Sequence, residues 1–540
     1  LNKNEEVSGF LRASGQKLIN GDGREIVLRG VGLGSWLLPE GYMWRFPDEG
    51  DRPRRIERII EELVGCEKAA EFWHIYYDRY TSEADIAQMA AEGFNSVRIP
   101  INARFLIEEG EELHLRPGRL ELLDRAIGWC RKHSLYAVLD LHGAPGGQTG
   151  TNIDDSANDL PELFLNDHNR RLTIQLWRLL AERYKDEWIV AGYDLLNEPL
   201  PNWFAEYNEQ IMPLYRDVVQ AIREVDDQHM IILEGAHWAT DWSIFEERID
   251  DNLMLQFHKY WNNPDTESIQ TFLDKREELD VPIYMGEGGE NNCDWFTGAF
   301  RLYEDHDISW NFWTWKKLDC TNSPCSVNLP KDWQLLIDYM QGGKLDAQSA
   351  ERILWAYLDN LAIERCTYHS EVVHALFRRA PVSIPAIFYG YRGAGVSFGN
   401  LERVESKTGF RQMDGIDIRF VDSERTVPNF QHMKGESWQL DELLYVRLAA
   451  SEWLQYEWTV QTGTMTSPAV YSLEIEVRGN HGARLAVTLN DDFIGARQLE
   501  DENWHIIRMQ TAIQLEGIQK IGLRAEGQSV DILRVNIMKL

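Results

Sequence analysis

Positive charge, cysteine and long apolar runs are all scarce in this sequence. Lys and Arg number 55 against 87 Asp and Glu, a formal net charge of -32 over 540 residues. So acidic a chain repels phosphates, which argues against nucleic acid and anionic membranes as partners and leaves a neutral substrate unopposed. No stretch reaches the ~18 apolar residues of a membrane span. Six cysteines in a chain this long do not make a disulfide framework. Cys320 and Cys325 are close enough in sequence to bridge, while Cys66, Cys130, Cys293 and Cys366 have no evident partner. Neither cysteines nor histidines fall at zinc-ligand spacing, so no metal is expected. The polar start, Leu1-Asn-Lys-Asn-Glu-Glu6, has no signal-peptide core. The compartment stays open, either secreted with the signal removed or cytoplasmic.

Aromatic residues, in contrast, are plentiful: twenty each of Trp, Tyr and Phe, 11% of the chain. Such rings fill cores, and at a rim they are what sugars stack on. Hydrophobic content of 44% and charged content of 26% are globular values. The length calls for two or three domains.

In chain order, residues 10–29 read as a hairpin turning at Gly21-Asp22-Gly23. Arg29-Gly-Val-Gly-Leu-Gly-Ser-Trp36 reads as a first strand entering a Gly-rich loop. No Lys-Ser/Thr follows those glycines, so they are not a phosphate cradle. Helix and strand patterns then alternate. Helices are expected over 82–91, 120–132, 169–184, 210–225, 268–278 and 296–305, the first with a Ser82/Asp85 capping box and a Gly93 stop. Strands are expected over 96–99, 136–141, 193–196, 230–233, 253–257, 282–286 and 308–312. With the first, these make eight strands in β/α order, which closes a (β/α)8 TIM barrel. Residues 331–379 read as its last helices. After Pro381 the texture changes to period-two runs at 443–447, 453–460, 471–477, 484–489 and 521–524, an all-β sandwich. The domains are therefore expected at 1–383 and 384–540.

Chemistry in such a barrel sits where strands end. The second strand delivers Arg98, the third Asp140 and His142, the fourth Asn197 and Glu198, the fifth Glu234, His237 and Trp238, the sixth His258 and Tyr260, the seventh Glu287, and the eighth Trp313 and Trp315. Any one of these suits a structural role, such as a rim Glu capping a helix. Polar groups from so many strands on one rim suit catalysis better. Glu198 and Glu287 arrive from opposite sides, as glycoside hydrolysis requires of its proton donor and its nucleophile or base. Glu234 competes with Glu287, which the flanking glycines leave more open.

The motifs Asn95-Ser-Val-Arg98-Ile-Pro, Asp140-Leu-His142-Gly-Ala-Pro-Gly, Leu196-Asn197-Glu198-Pro199, Phe257-His258-Lys-Tyr260, Gly286-Glu287 and Phe312-Trp313-Thr-Trp315-Lys316 resemble glycoside hydrolase family five. They span most of residues 25–320. Within the family the likeness is to the exo-acting β-1,3-glucanases, through Gly-Val-x-Leu-Gly-x-Trp and His-Gly-Ala-Pro-Gly-x-Gln-x-Gly. The resemblance implies retention, with Glu198 as acid/base and Glu287 as nucleophile. It implies a -1 subsite of Arg98, His142, Asn197, His258, Tyr260 and Trp313, with Glu40 gripping the terminal sugar. The chain departs from those exo enzymes after Gly150, where Thr151-Asn-Ile-Asp-Asp155 replaces Phe-Asp-Asn. The C-terminal region resembles carbohydrate-binding modules of families six and thirty-five through Trp453-Leu-Gln-Tyr456. Trp504 and Tyr445 are its candidate sugar contacts. A structural calcium is doubtful, because Ile384-Pro-Ala-Ile-Phe stands where the modules carry Glu-x-Glu.

The expected function is thus a retaining β-glycosidase hydrolysing β-glucan or β-glucosides, exo-acting, without cofactor. The alternatives are an endo-β-1,4-glucanase or mannanase on the same barrel, or a carbohydrate-binding protein on an inactive one. Exo action further needs loops that close the site. Residues 36–55, with Glu40, Tyr42, Trp44 and Phe46, and residues 146–166, with Asp154 and Asp155, are long enough to do so.

Overall fold

The computed structural model describes residues 6–422, 424–461, 469–513 and 516–540. The start, residues 1–5, lies outside the described residues. The chain divides into two compact units. The first comprises 1–259, 271–288 and 309–368, and the second 260–270, 289–308 and 369–540.

Eight parallel strands close the barrel of the first unit: β1 (Arg29–Gly32), β2 (Ser96–Asn102), β3 (Tyr136–Gly143), β4 (Val190–Asp194), β5 (Met230–Glu234), β6 (Leu253–His258), β7 (Ile283–Gly289) and β8 (Ser309–Trp313). Each pairs with its successor in sequence, and β8 pairs back with β1. Every residue of β2 through β8 is buried. Burial on both faces is why these strands read as continuous apolar runs. The hairpin ahead of β1 forms, with a third short strand beside it. Gly286 is a position where only glycine fits. A Cβ there would lie 2.1 Å from the Gln256 side chain, which needs that space inside the barrel.

Three helices separate β1 from β2: α1 (Pro53–Val64), α2 (Cys66–Arg79) and α3 (Glu83–Glu92). The expected cap of α3 is present. Asp85 Oδ2 accepts from both Ser82 N and Ser82 Oγ at 2.9 Å, and Gly93 ends the helix with φ +94°. Sequence reading missed α1, although Ile56, Ile59, Ile60 and Leu63 keep helical spacing and all face the core. Strand β4 starts three residues earlier than expected and stops at Asp194, so Leu195–Pro199 is an irregular turn with Glu198 at φ +44°.

The second unit carries two antiparallel sheets. One orders 417–420, 444–448, 530–539, 469–479 and 505–513, with 382–385 also on 530–539; the other orders 398–399, 453–460, 517–526, 483–489 and 492–499. Strand 492–499 went unread because most of it faces solvent on both sides and its sequence does not alternate. Cys320 and Cys325 do not bridge; all six cysteines are free thiols.

Candidate active site

One fully buried guanidinium organises the open end of the barrel. Arg98, near the middle of β2, has no exposed surface. Its Nε donates to Asp194 Oδ2 at 3.0 Å and its Nη1 to Glu287 Oε2 at 2.7 Å. Its Nη2 donates to Asn197 Oδ1 at 2.8 Å and Glu234 Oε1 at 3.0 Å, and lies 3.1 Å from Asp140 Oδ2. A buried charge this engaged is tolerable because each of the three guanidinium nitrogens meets an acceptor. Strands β2, β3, β4, β5 and β7 and the turn after β4 are thereby tied at one point.

Glu198 and Glu287 face one another beside that point. An oxygen of each lies within 4.8 Å of the other and of a His258 ring nitrogen. His258 Nδ1 is 2.7 Å from Glu198 Oε1 and 3.9 Å from Glu287 Oε2. Glu234 differs from both. Its Oε2 accepts from the Glu198 backbone N–H at 2.7 Å, and its Oε1 accepts from Arg98 and from the Gln256 amide. Its side chain is wholly buried. Its oxygens are spent on holding the site together, which separates it from Glu287.

Environment shifts these carboxyls in different directions. Burial raises Glu198 above the ordinary carboxyl value; the His258 hydrogen bond opposes this and the Glu287 charge adds to it. Glu234 is lowered to about 2, because His258 and Arg98 outweigh its burial. Asp194 is pushed well up by burial and by the charge of Glu234. For His258 burial is outweighed by Glu234 and Glu287, which raise it well above the usual imidazole value. Burial thus makes Glu198 readier to hold a proton than Glu234 beside it.

Of the other residues expected at a -1 wall, His142, Asn197, Trp313 and Glu40 lie in the first unit and Tyr260 does not. His142 Nδ1 is held by Asp140 Oδ2 at 2.7 Å, and its ring stacks on Trp313 with centroids 5.5 Å apart and planes at 6°. Its Nε2 lies 3.7 Å from Glu40 Oε1. Trp313 Nε1 donates to Tyr42 Oη at 2.9 Å. Tyr260, two residues beyond β6, belongs to the second unit, where its carbonyl accepts from Asn291 Nδ2 at 3.1 Å. Asp194 and Gln256 were not anticipated. A carboxylate and an amide inside otherwise apolar buried strands were the available signal.

The two long loops do meet, but through ions and not aromatics. Trp44 packs among Phe72, Trp73, Tyr76 and Tyr357, and Phe46 stacks on Trp333 at 5.4 Å. Two of the three expected pocket rings are therefore core, and Tyr42 alone stays exposed. Arg52, only 3% exposed, donates to Ser156 O at 3.1 Å and Ser156 Oγ at 2.9 Å, and pairs with Asp159 at 2.8 Å. Asp155 Oδ1 accepts from Arg54 N at 2.9 Å, and its Oδ2 accepts from Asn102 Nδ2 at 2.9 Å and Arg104 Nε at 2.5 Å. Asp154 Oδ2 folds its own loop by accepting from Thr149 N at 2.7 Å and Gly150 N at 3.1 Å.

In the second unit Tyr445 and Trp504 are brought together, edge to face at 5.5 Å. The Arg478 guanidinium lies over both rings, at 4.9 and 4.5 Å, and Tyr445 is 4% exposed. The pair presents a cation and ring edges more than a bare stacking face. Among the described residues, two clusters have enough ligand atoms within 4.8 Å to hold a metal ion, Glu198/His258/Glu287 and Asp140/Asp194/Glu234, both in the barrel. Arg98, Gln256 and the Glu198 amide already engage several of those oxygens. Among the described residues the second unit brings no such cluster together.

The sequence model of cellulase, glycosyl hydrolase family 5, matches residues 61–319. A glucan 1,3-beta-glucosidase of Candida oleophila is 30% identical over 54% of this chain and 68% of its own length. The chain belongs to glycosyl hydrolase family 5. A beta-xylosidase of Phanerodontia chrysosporium is 33% identical over 46% of this chain, and the match spans 52% of that relative. Among solved structures, Thermotoga maritima Cel5A in complex with cellobiose aligns at TM-score 0.42 and 18% identity, over 65% of this chain and 97% of that one.

Proposed function

We propose that the chain is an exo-acting, retaining β-glycosidase of β-glucans or β-glucosides. The observation that carries this is the pairing of Glu198 and Glu287 with oxygens within 4.8 Å. Retention uses carboxyls about 5–5.5 Å apart, whereas inversion needs about 6.5–9.5 Å to admit a water between them. Glu198, raised by burial, gives its proton to the leaving oxygen. Glu287, oriented by Arg98, attacks the anomeric carbon, and water then resolves the glycosyl-enzyme with Glu198 acting as base. Arg98, His142, Asn197, His258, Trp313 and Glu40 form the -1 wall in this reading. Exo action is supported by the Arg52, Arg54 and Arg104 ties between the loops after β1, β2 and β3. No metal ion takes part, because the site's oxygens already serve as acid, nucleophile and anchors. The glucan 1,3-beta-glucosidase of Candida oleophila favours a glucosyl substrate, and the Phanerodontia relative favours a β-xyloside as the second reading.

The test is a product profile on laminari-oligosaccharides with the anomer followed by NMR. Single glucose units released first as the β-anomer are expected. Early mixed internal fragments would remove exo action, and an initial α-anomer would remove retention.

A further inference from the structure

Gln256 is a polar side chain inside a buried strand that acid, nucleophile and sugar contacts leave unexplained. It precedes His258 by two residues on β6, so both side chains point to the same side of the strand. It has no exposed surface. Its Nε2 donates to Asp194 Oδ2 at 3.0 Å and to Glu234 Oε1, and lies 3.0 Å from His258 Nε2. Turning the amide over would set its carbonyl oxygen against the Glu234 carboxylate, so the NH2 group is the end that faces this cluster. The carbonyl oxygen then lies over Gly286, where a Cβ would come within 2.2 Å of it.

That amide decides where the His258 proton sits. An NH2 group donates and does not accept, so a proton on His258 Nε2 would point at another donor. Nε2 therefore accepts, and the ring proton is on Nδ1, which donates to Glu198 Oε1 at 2.7 Å. The surrounding charges pull the other way. Glu234 Oε1 is 3.4 Å from Nε2 and Glu287 Oε2 is 3.9 Å from Nδ1, and both anions favour a second proton on the ring. Gln256 opposes them at Nε2, from closer than either carboxylate.

We propose that Gln256 is a positioning residue for the general acid: its amide holds His258 with its proton on Nδ1, which leaves the transferable proton on Glu198 Oε2. With Oε1 occupied as an acceptor, Glu198 carries its proton on the other oxygen. It gives that proton to the leaving oxygen, and the carboxylate so formed keeps the bond from Nδ1. His258 holds one proton throughout. The opposite tautomer would set a bare Nδ1 2.7 Å from Oε1. It would draw the acid's proton into that bond and away from the leaving group. The inference rests on the glycosidase reading above and deepens it.

The experiment has two arms. The first uses the unmodified full chain, labelled with nitrogen-15 at histidine alone. Two-bond proton–nitrogen correlations distinguish a protonated ring nitrogen from a bare one, and comparison with His258→Asn assigns the signal. A bare Nε2 beside a protonated Nδ1 is expected. Protons on both nitrogens, or on Nε2 alone, overturn the proposal whatever the protein hydrolyses. The second arm compares kcat/KM on an alkyl β-glucoside and on a dinitrophenyl β-glucoside in Gln256→Met and Gln256→Glu, which fill the space without the NH2 group. In both variants the alkyl substrate loses about 10–100-fold more than the dinitrophenyl one, a part of the 10²–10⁴-fold that acid catalysis supplies. Equal losses on the two substrates make Gln256 a structural anchor of Asp194 and Glu234 only and overturn the proposal, while the glycosidase reading stands. Inertness of the unmodified protein toward both glucosides and the matching xylosides removes the glycosidase reading and the positioning role with it.

Discussion

Replacing Glu234 by Gln separates the anchor carboxylate from the nucleophile. The substitution keeps shape and removes charge. Glu234 Oε2 accepts from Glu198 N at 2.7 Å and Oε1 from Arg98 Nη2 at 3.0 Å and from Gln256. A glutamine has one acceptor oxygen, so its NH2 group must face one of these donors. The loss is one charge-assisted hydrogen bond, about 1.5–3 kcal/mol. If all of it appears in the barrier, kcat falls about 10–150-fold. Glu287→Gln removes the group that forms the covalent bond, and a loss of at least about 10⁴-fold is expected. Steady-state kinetics on an aryl β-glucoside measures both. Trapping with a 2-deoxy-2-fluoroglycoside and peptide mass spectrometry then shows which carboxylate carries the sugar. Label on Glu234, or equal losses in the two variants, would refute the assignment.

Glu198→Ala should cost about 10²–10⁴-fold on glycosides with poor leaving groups and far less on a dinitrophenyl glycoside, which needs little acid help; equal loss on both substrates would remove Glu198 as the acid. Because burial raises Glu198, the alkaline limb of kcat/KM should lie above the ordinary carboxyl range and should be missing from the pH profile of the Ala variant. Dialysis against EDTA should leave activity unchanged, and recovery only on adding a divalent ion would contradict the metal-free mechanism. Asp226 bonds Tyr193, His229 and two backbone N–H groups, which outweigh its burial and lower it from 3.8 to about 2. Its folded value is depressed, so its contribution of about 2 kcal/mol is full above the unfolded value and is lost as pH falls from about 4 through 2. Asp226→Asn should therefore lower the melting temperature at pH 7 and matter little near pH 2, as thermal unfolding at both pH values would show.

Much of this protein is determined by sequence alone, because barrel strands and their ends are local signals. Runs such as Tyr136–Leu141 are buried on both faces and so stay apolar, and a motif such as Asn197-Glu198-Pro199 marks where the strand stops. Those two facts put Arg98, His142, Glu198, His258 and Glu287 on one rim without reference to any tertiary contact. Tertiary structure decided what each of them touches there. Glu234 and Glu287 are both strand-end glutamates, and only the donors around Glu234 show that its oxygens are committed. The loop after β1 carries Glu40, Trp44 and Phe46 within seven residues, yet Glu40 lies beside His142 while both rings enter the core. Arg52 and Asp155 look like surface charges until the loops that bear them meet. A side chain's charge, exposure and partners depend on residues far away in the chain, and local sequence does not contain them.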